Sequence, residues 1–292
     1  MIHTIENDFL ICEVEATGAE VRSLKNKKTG QEYIWPMKPE IWASSSPVLF
    51  PAVGTVREST VIHKGLPYAL PKHGIIRNNA NLEYRRLSKD HIVFSLRSSK
   101  DTKAIYPFPF LFEVDYKLIE NRLQMLFIVG NTGTGTLYFN AGGHTAYYCP
   151  LESAKLSDYV IDIPTSQDLK AETIDPETML LGYEQRPIEL NNGSLVLGED
   201  LFKRDALIFA DVDFDRVRLR HKDADKGLEV HFRGFPHLAL WAKPGADYVC
   251  IEPWLGLPDR VDAPLEISEK PNFQSLGAGQ KMEFVIETEV WK

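Results

Sequence analysis

The chain of 292 residues predicts an all-β fold, a large antiparallel β-sandwich. Two observations carry that expectation. Apolar and polar residues alternate with a period of two, not 3.6, over much of the length. Nineteen glycines and 18 prolines punctuate the alternating runs, too many for a helical bundle.

Taken in order, the runs read as strands. Leu10, Cys12 and Val14, then Glu20-Val21-Arg22-Ser23-Leu24, make residues 1–35 the first strands and not a tail. Phe112, Val114, Tyr116 and Leu118 alternate with Glu113, Asp115 and Lys117. A turn at Glu120-Asn121 and a second set, Leu123, Met125, Phe127 and Val129, complete a hairpin. Leu137-Tyr138-Phe139 is a further strand, and residues 166–178 are expected to hold a short turn of helix. Val217 with Leu219, then Leu228, Val230 and Phe232, then Leu238 with Leu240, resume the period of two. Tyr248-Val249-Cys250-Ile251 reads as a core strand, and Met282, Phe284 and Ile286 as the last one. Many short alternating strands separated by turn signals pack as two sheets. No linker or shift in composition divides them, so residues 1–292 read as a single domain. A sheet of this size has a concave face, where polar side chains and an aromatic or two can converge on a sugar.

Composition excludes several classes of function. An apolar fraction of 43% and a charged fraction of 25% are those of a soluble globular protein. A net charge of −8 argues against a nucleic-acid surface, which needs clustered cations. The basic run Arg216, Arg218, Arg220, His221 and Lys222 has i, i+2 spacing and is flanked by Asp211, Asp213, Asp215, Asp223 and Asp225, the pattern of one solvated strand face. No stretch approaches the ~18 apolar residues of a membrane helix. The first residues carry neither the basic nor the apolar part of a signal peptide. Three widely spaced cysteines, Cys12, Cys149 and Cys250, fit reduced, buried thiols better than a disulfide framework. The expected setting is cytoplasmic, with no membrane and no nucleic-acid partner.

Three short islands carry the chemistry. In Cys250-Ile251-Glu252-Pro253-Trp254, proline is expected to end the strand and leave a carboxylate at its tip beside an indole. Partial desolvation there raises the pKa toward that of a general base; an edge glutamate open to water is the plain alternative. Gly142-Gly143-His144 follows a strand, and its glycines permit a close backbone approach or a bulge that re-aims the histidine. A core histidine bonded to backbone fits that spacing equally well. His73, in Pro71-Lys72-His73-Gly74, is accompanied by Arg57 and Arg77, which can bind hydroxyls or an anion, or simply pair with surface acids. His73, His144 and Glu252 have the ligand types of a zinc site, but no local ligand pair nucleates one, so no metal is expected. His231 and His237 flank the turn Gly234-Phe235-Pro236 and read as structural. Dinucleotide, phosphate-loop and serine-elbow motifs are missing.

The order of these islands resembles a known family. Leu49-Phe50-Pro51 with Gly54, Lys72-His73-Gly74-Ile75-Ile76-Arg77, Tyr106-Pro107-Phe108-Pro109-Phe110, Gly142-Gly143-His144 and Cys250-Ile251-Glu252-Pro253-Trp254 follow one another as in the aldose 1-epimerase (galactose mutarotase) family, in particular its bacterial LacX-like branch. The resemblance spans nearly the whole chain. It implies a galactose-mutarotase-type β-sandwich, a sugar bound in the concave face and no cofactor. It further implies Glu252 as general base, His144 as general acid and His73 as the histidine that helps hold the ring oxygen. Arg57 matches the family's hydroxyl-contacting arginine, although Val56 stands where an asparagine is usual. Asp205 matches its sugar-binding aspartate, and Trp254 and Arg77 stand beside these as substrate-binding residues.

The reaction so implied interconverts the α and β anomers of a free hexose. Glu252 removes the proton of the anomeric hydroxyl while a charged His144, its pKa raised by the carboxylate, protonates the ring oxygen. A hexose-6-phosphate 1-epimerase, with Arg57, Arg77 and Lys72 holding the phosphate, is the enzymatic alternative. A non-catalytic sugar-binding protein on the same fold is the other, since fold does not fix function. A homodimer is compatible with all three readings.

Overall fold

Side chains leave a strand on alternate faces, so a strand with one apolar row can seal a core on one side and offer polar groups on the other. Two large antiparallel sheets use that rule. The computed structural model describes residues 1–149, 155–223 and 226–291, so Asp225 lies outside the described residues.

The larger sheet has nine strands in the order 194–196, 159–162, 216–221, 227–231, 281–290, 122–131, 110–119, 91–97 and 83–88. The expected hairpin is at its centre: Phe110–Ile119 and Arg122–Asn131 pair antiparallel through Met125↔Tyr116 and Phe127↔Val114. The turn residue Glu120 takes a left-handed φ of 50°. The basic run forms a solvated strand face as expected, with Arg218 3.0 Å from Glu229 and Arg220 2.7 Å from Asp162.

The second sheet has eight strands. Its main path runs 181–187, 170–174, 207–209, 237–241, 248–254, 142–143 and 48–49, and Thr145–Tyr148 pairs beside it with Tyr248–Trp254. Smaller sheets flank the pair; one joins Ile2–Glu6, Leu10–Glu15 and Glu20–Asn26, as the alternation in residues 1–35 predicts.

The core lies between the two large sheets. Phe112, Phe127, Phe284 and Ile286 of the nine-stranded sheet join Leu238, Leu240, Val249 and Ile251 of the eight-stranded one in a single buried cluster. Phe127 and Phe284 face each other across neighbouring strands and stack at 5.2 Å. Each such buried side chain contributes about 1.5–3 kcal/mol of hydrophobic stabilisation.

One local expectation is corrected. Residues 166–178 hold no helix; Lys170–Ile174 is a strand, paired on both sides with Leu181–Pro187 and Leu207–Phe209. Ala171 and Glu172 there are buried in the sheet, and tertiary pairing overrides the weak local signal. The one α-helix among the described residues is Lys100–Ile105, six residues whose N-cap Ser99 accepts from the Thr102 N–H. It is too short to imprint a 3.6 period. No helix among the described residues is long and apolar enough to cross a membrane.

Candidate active site

Every residue of Tyr248–Trp254 is buried. Val249 and Ile251 point into the inter-sheet core. Tyr248, Cys250, Glu252 and Trp254 therefore share the opposite, concave face. The strand does not end at Glu252. It continues through Pro253, opposite Leu238, to Trp254, opposite His237. Its other neighbour is interrupted at His144, between Gly142–Gly143 and Thr145–Tyr148, so a residue without an N–H is accommodated there.

That interruption sets the central pair. Gly142 lies opposite Trp254 and Thr145 opposite Ile251, which brings His144 level with Glu252. The glycines permit a close approach: a Cβ on Gly142 would sit 2.7 Å from the Pro253 carbonyl oxygen, and one on Gly143 2.8 Å from Ile286 Cδ1. The His144 N–H donates to the Pro47 carbonyl at 3.1 Å. Its imidazole Nε2 stands 3.3 Å from Glu252 Oε2. Trp42 stacks on the ring at 5.2 Å and Trp241 meets it edge-on at 5.9 Å.

His73 reaches the same place from a tight turn. Its φ is 65°, and Gly74 follows at 79°, where a Cβ would fall 2.1 Å from the Phe50 carbonyl oxygen. The His73 and His144 rings meet at 5.6 Å. The Gly54 N–H donates to His73 Nδ1 at 3.2 Å, so a neutral ring carries its proton on Nε2.

These groups line one cavity of about 330 Å³, within the ordinary range for small-ligand sites. Of the seven candidate residues, His73, Arg77, His144, Asp205, Glu252 and Trp254 line it. Arg57 does not. Its N–H donates to Asp259 at 2.8 Å, and its guanidinium donates to the Ala263 carbonyl at 2.7 Å and lies 3.4 Å from Glu58. A carbonyl and a carboxylate already occupy that cation, so the expected contact with sugar hydroxyls is corrected.

Trp42 and Trp241 form aromatic walls that sequence reasoning missed. Trp241 is three residues before Pro244 in an ordinary strand pattern, and Trp42 precedes a run of serines; neither position signals a site. Lys72, noted only as a phosphate-binding candidate, also lines the cavity.

Burial dominates the electrostatics. It drives the His144 pKa down to about 3, with the Arg77 cation adding to the effect. It drives Glu252 well above the usual carboxylate range, against Lys72 and Arg77, and Asp205 pushes the same way as burial. His73 is held well below the usual imidazole range by burial, then by His144, Lys72 and Arg77. The expectation that the carboxylate keeps His144 charged by raising its pKa is therefore corrected: desolvation lowers it instead. Burial thus opposes charge on both members of the pair. His144 Nδ1 and Arg77 Nε are buried with no hydrogen-bond partner in the chain, unmet polar groups that suit a polyhydroxy ligand.

His144, Cys250 and Glu252 also bring one metal-ligand atom each within 4.8 Å of one another. Burial raises the Cys250 thiol well above its ordinary pKa, which disfavours the thiolate that would bind a metal. All three cysteines are free and buried, as expected. His231 and His237 stay out of the cavity. His231 lies 3.1 Å from Glu229, and His237 Nδ1 accepts from the Asp211 N–H at 3.1 Å.

The chain is similar to known proteins over nearly all of its length. Residues 1–288 match the model of the aldose 1-epimerase family. A protein LacX of Lactococcus lactis subsp. lactis, plasmid form, is 30% identical over 278 residues, covering 91% of this chain and 92% of the relative. The crystal structure of a galactose mutarotase related enzyme from Lactobacillus acidophilus superposes with a TM-score of 0.92 at 32% identity, covering 100% of this chain and 98% of that one. A galactose mutarotase-like protein from Lactobacillus casei has a TM-score of 0.91 at 24% identity, with both chains covered completely, and so shares the fold.

Proposed function

The chain belongs to the aldose 1-epimerase family, and from that premise we propose that it interconverts the α and β anomers of a free hexose by general acid–base catalysis, as a single domain spanning residues 1–292. The observation that carries this reading is the 3.3 Å approach of His144 Nε2 to Glu252 Oε2 in a buried, aromatic-walled cavity.

Anomerisation requires one proton to leave the C1 hydroxyl and one to reach the ring oxygen. A pair that shares a single proton has one site to accept and one to donate. In our reading, sugar hydroxyls replace the solvation that burial removed, and the proton passes from Glu252 to His144. Lys72 and Arg77, which favour the ionised carboxylate, assist. Glu252 then takes the C1 hydroxyl proton as His144 protonates the ring oxygen. The C1–O5 bond breaks and C1 becomes an aldehyde. Rotation about C1–C2 presents its other face, and closure runs with the roles exchanged. His73, neutral and with Nε2–H as its donor, steadies the ring oxygen; Asp205, Arg77 and Trp254 hold the remaining hydroxyls and the apolar face of the ring. An acid and a base contributing ~10²–10⁴-fold each suffice for so facile a reaction.

The decisive assay is anomer exchange of glucose and galactose, followed by polarimetry or NMR. Exchange at the buffer rate by a protein that still binds the sugar would replace the enzymatic reading with a binding protein. Lys72 and Arg77 in the cavity favour one second reading, a hexose-6-phosphate substrate. Faster turnover of glucose 6-phosphate than of glucose would select it.

A further inference from the structure

A histidine that works through one ring nitrogen is commonly oriented by a hydrogen bond at the other. His144 has no such bond. Its Nδ1 is buried without a partner in the chain, while Nε2 faces Glu252 at 3.3 Å. Its backbone gives little further restraint: two glycines precede it, and its N–H is taken up by the Pro47 carbonyl. The two ring nitrogens are not equivalent. A half-turn about Cβ–Cγ would put Cε1 where Nε2 now stands and remove the donor–acceptor atom from Glu252. Apart from Glu252 itself, no polar group opposes that half-turn, so the productive orientation depends on packing.

Three rings pack on the imidazole. His73 and Trp241 meet it edge-on, at 74° and 85°. Trp42 alone lies nearly parallel, tilted by 28° with the centroids 5.2 Å apart, an offset stack. Turning the imidazole about Cβ–Cγ swings its edge toward that indole, and a close-packed interior resists such a sweep. The indole is itself held. It stacks on Tyr248 at 5.4 Å and meets Trp241 edge-on at 5.5 Å. The buried Trp35 donates its indole N–H to the Trp42 carbonyl at 3.2 Å, and Lys243 Nζ donates to the Ile41 carbonyl at 2.6 Å. Just beyond, the N–H groups of Ser45 and Ser46 both donate to the buried Glu20 carboxylate. Residues from 20 to 248 thus fix one short segment, and through it one ring.

Resting on the epimerase reading, we propose that Trp42 is a positioning residue of the reaction, whose indole holds His144 in the orientation that aims Nε2 at Glu252. The electron-rich face of the same indole attracts a cation, so it also steadies the imidazolium that forms in turnover. Trp42 acts through His144 and not on the sugar, so its loss falls on kcat and not on KM.

The test compares Trp42→Leu, which removes the ring, with Trp42→Phe, which keeps a smaller one. Should Trp42→Leu not fold, Trp42→Met, which fills more of the space without a ring, takes its place. In anomer exchange of glucose or galactose, whichever turns over faster, the ringless variant should lose roughly tenfold in kcat with KM within about twofold of wild type. Trp42→Phe should recover most of that loss. A raised KM at unchanged kcat, the mark of a sugar platform, overturns the proposal, as does a Trp42→Phe no better than the ringless variant. NMR of the ¹⁵N-labelled imidazoles in the free protein gives a readout independent of turnover. The His144 ring signals, identified by their loss in His144→Gln, should show one environment in wild type and Trp42→Phe, and a second or broadened set in the ringless variant. Unchanged His144 signals there overturn the positioning role whether or not either sugar is anomerised. Exchange at the buffer rate in wild type, with the NMR change present, would sink the epimerase reading and leave the positioning of His144 standing.

Discussion

His144 Nε2 and Glu252 Oε2 lie 3.3 Å apart on neighbouring strands, and burial shifts their pKa values in opposite directions. His144 falls to about 3 and Glu252 rises well above its ordinary range. If the two act as the proposed acid and base, the pair is expected to keep a single proton between these two limits. As pH drops through about 3, His144 gains a second proton for the pair, and no base remains. As pH rises through the elevated value of Glu252, the pair loses its only proton, and no acid remains. The profile of kcat/KM for the free enzyme is expected to be a broad bell with a plateau between these limbs, reporting the pair and not either residue. Polarimetry across pH checks it; an acid limb near 6.5 would mean that His144 titrates as an ordinary histidine.

Glu252→Gln separates catalysis from stability. The amide can neither accept the hydroxyl proton nor hold the shared one, so anomerisation should fall by ~10²–10⁴. Stability should move the other way at pH 7. Above the ordinary glutamate pKa the unfolded chain releases the proton that the folded chain retains, so this residue favours unfolding as pH rises. Glutamine removes that penalty. Thermal denaturation should show a higher Tm for the variant at pH 7, and the gain should vanish below pH 4, where both states of the wild type are protonated.

His73→Ala and Arg57→Lys should part company. The first removes a buried, fixed donor and is expected to lower kcat roughly 10²-fold. The second weakens the Ala263 and Glu58 contacts outside the cavity, lowering stability by about 1 kcal/mol and leaving KM unmoved. Steady-state kinetics and urea denaturation separate the two. A large KM increase in Arg57→Lys would return Arg57 to the sugar.

Lys270 and Asp259 form a fully buried ion pair, and Lys270 also donates to the Pro264 carbonyl at 2.7 Å. Asp259 in turn accepts the Arg57 N–H, and its own N–H donates to the Thr55 carbonyl at 3.1 Å. The pair thus anchors the segment whose Gly54 orients His73. Lys270→Met leaves a buried carboxylate uncompensated and should remove about 3–5 kcal/mol of stability. Calorimetry should find Tm lowered by about 10 °C.

Legibility in the sequence followed the physical range of each signal. A period of two is local, so the hairpin about Glu120 and the other alternating strands could be read directly, and the apolar run Tyr248-Val249-Cys250-Ile251 stood out as a core strand. A proline is a local signal too, yet it misled at Pro253, because strand pairing on the His237 side continues past it. The helix expected within residues 166–178 failed because two neighbouring strands capture Lys170–Ile174. Trp42 and Trp241 were invisible as site residues, since an aromatic wall has no sequence spacing. Arg57 was misplaced because the Ala263 carbonyl that takes up its guanidinium lies 206 residues away.

By itself, then, the sequence determined the all-β class, the family, and which side chains could carry chemistry, because alternation, turn residues and short motifs are written over a few consecutive positions. Tertiary structure alone decided that His144 stands level with Glu252, that the Gly54 N–H meets His73 Nδ1, and that burial opposes charge on both His144 and Glu252. Those outcomes depend on strand register and on how much water is excluded, and both arise from groups that meet only when the sheets close.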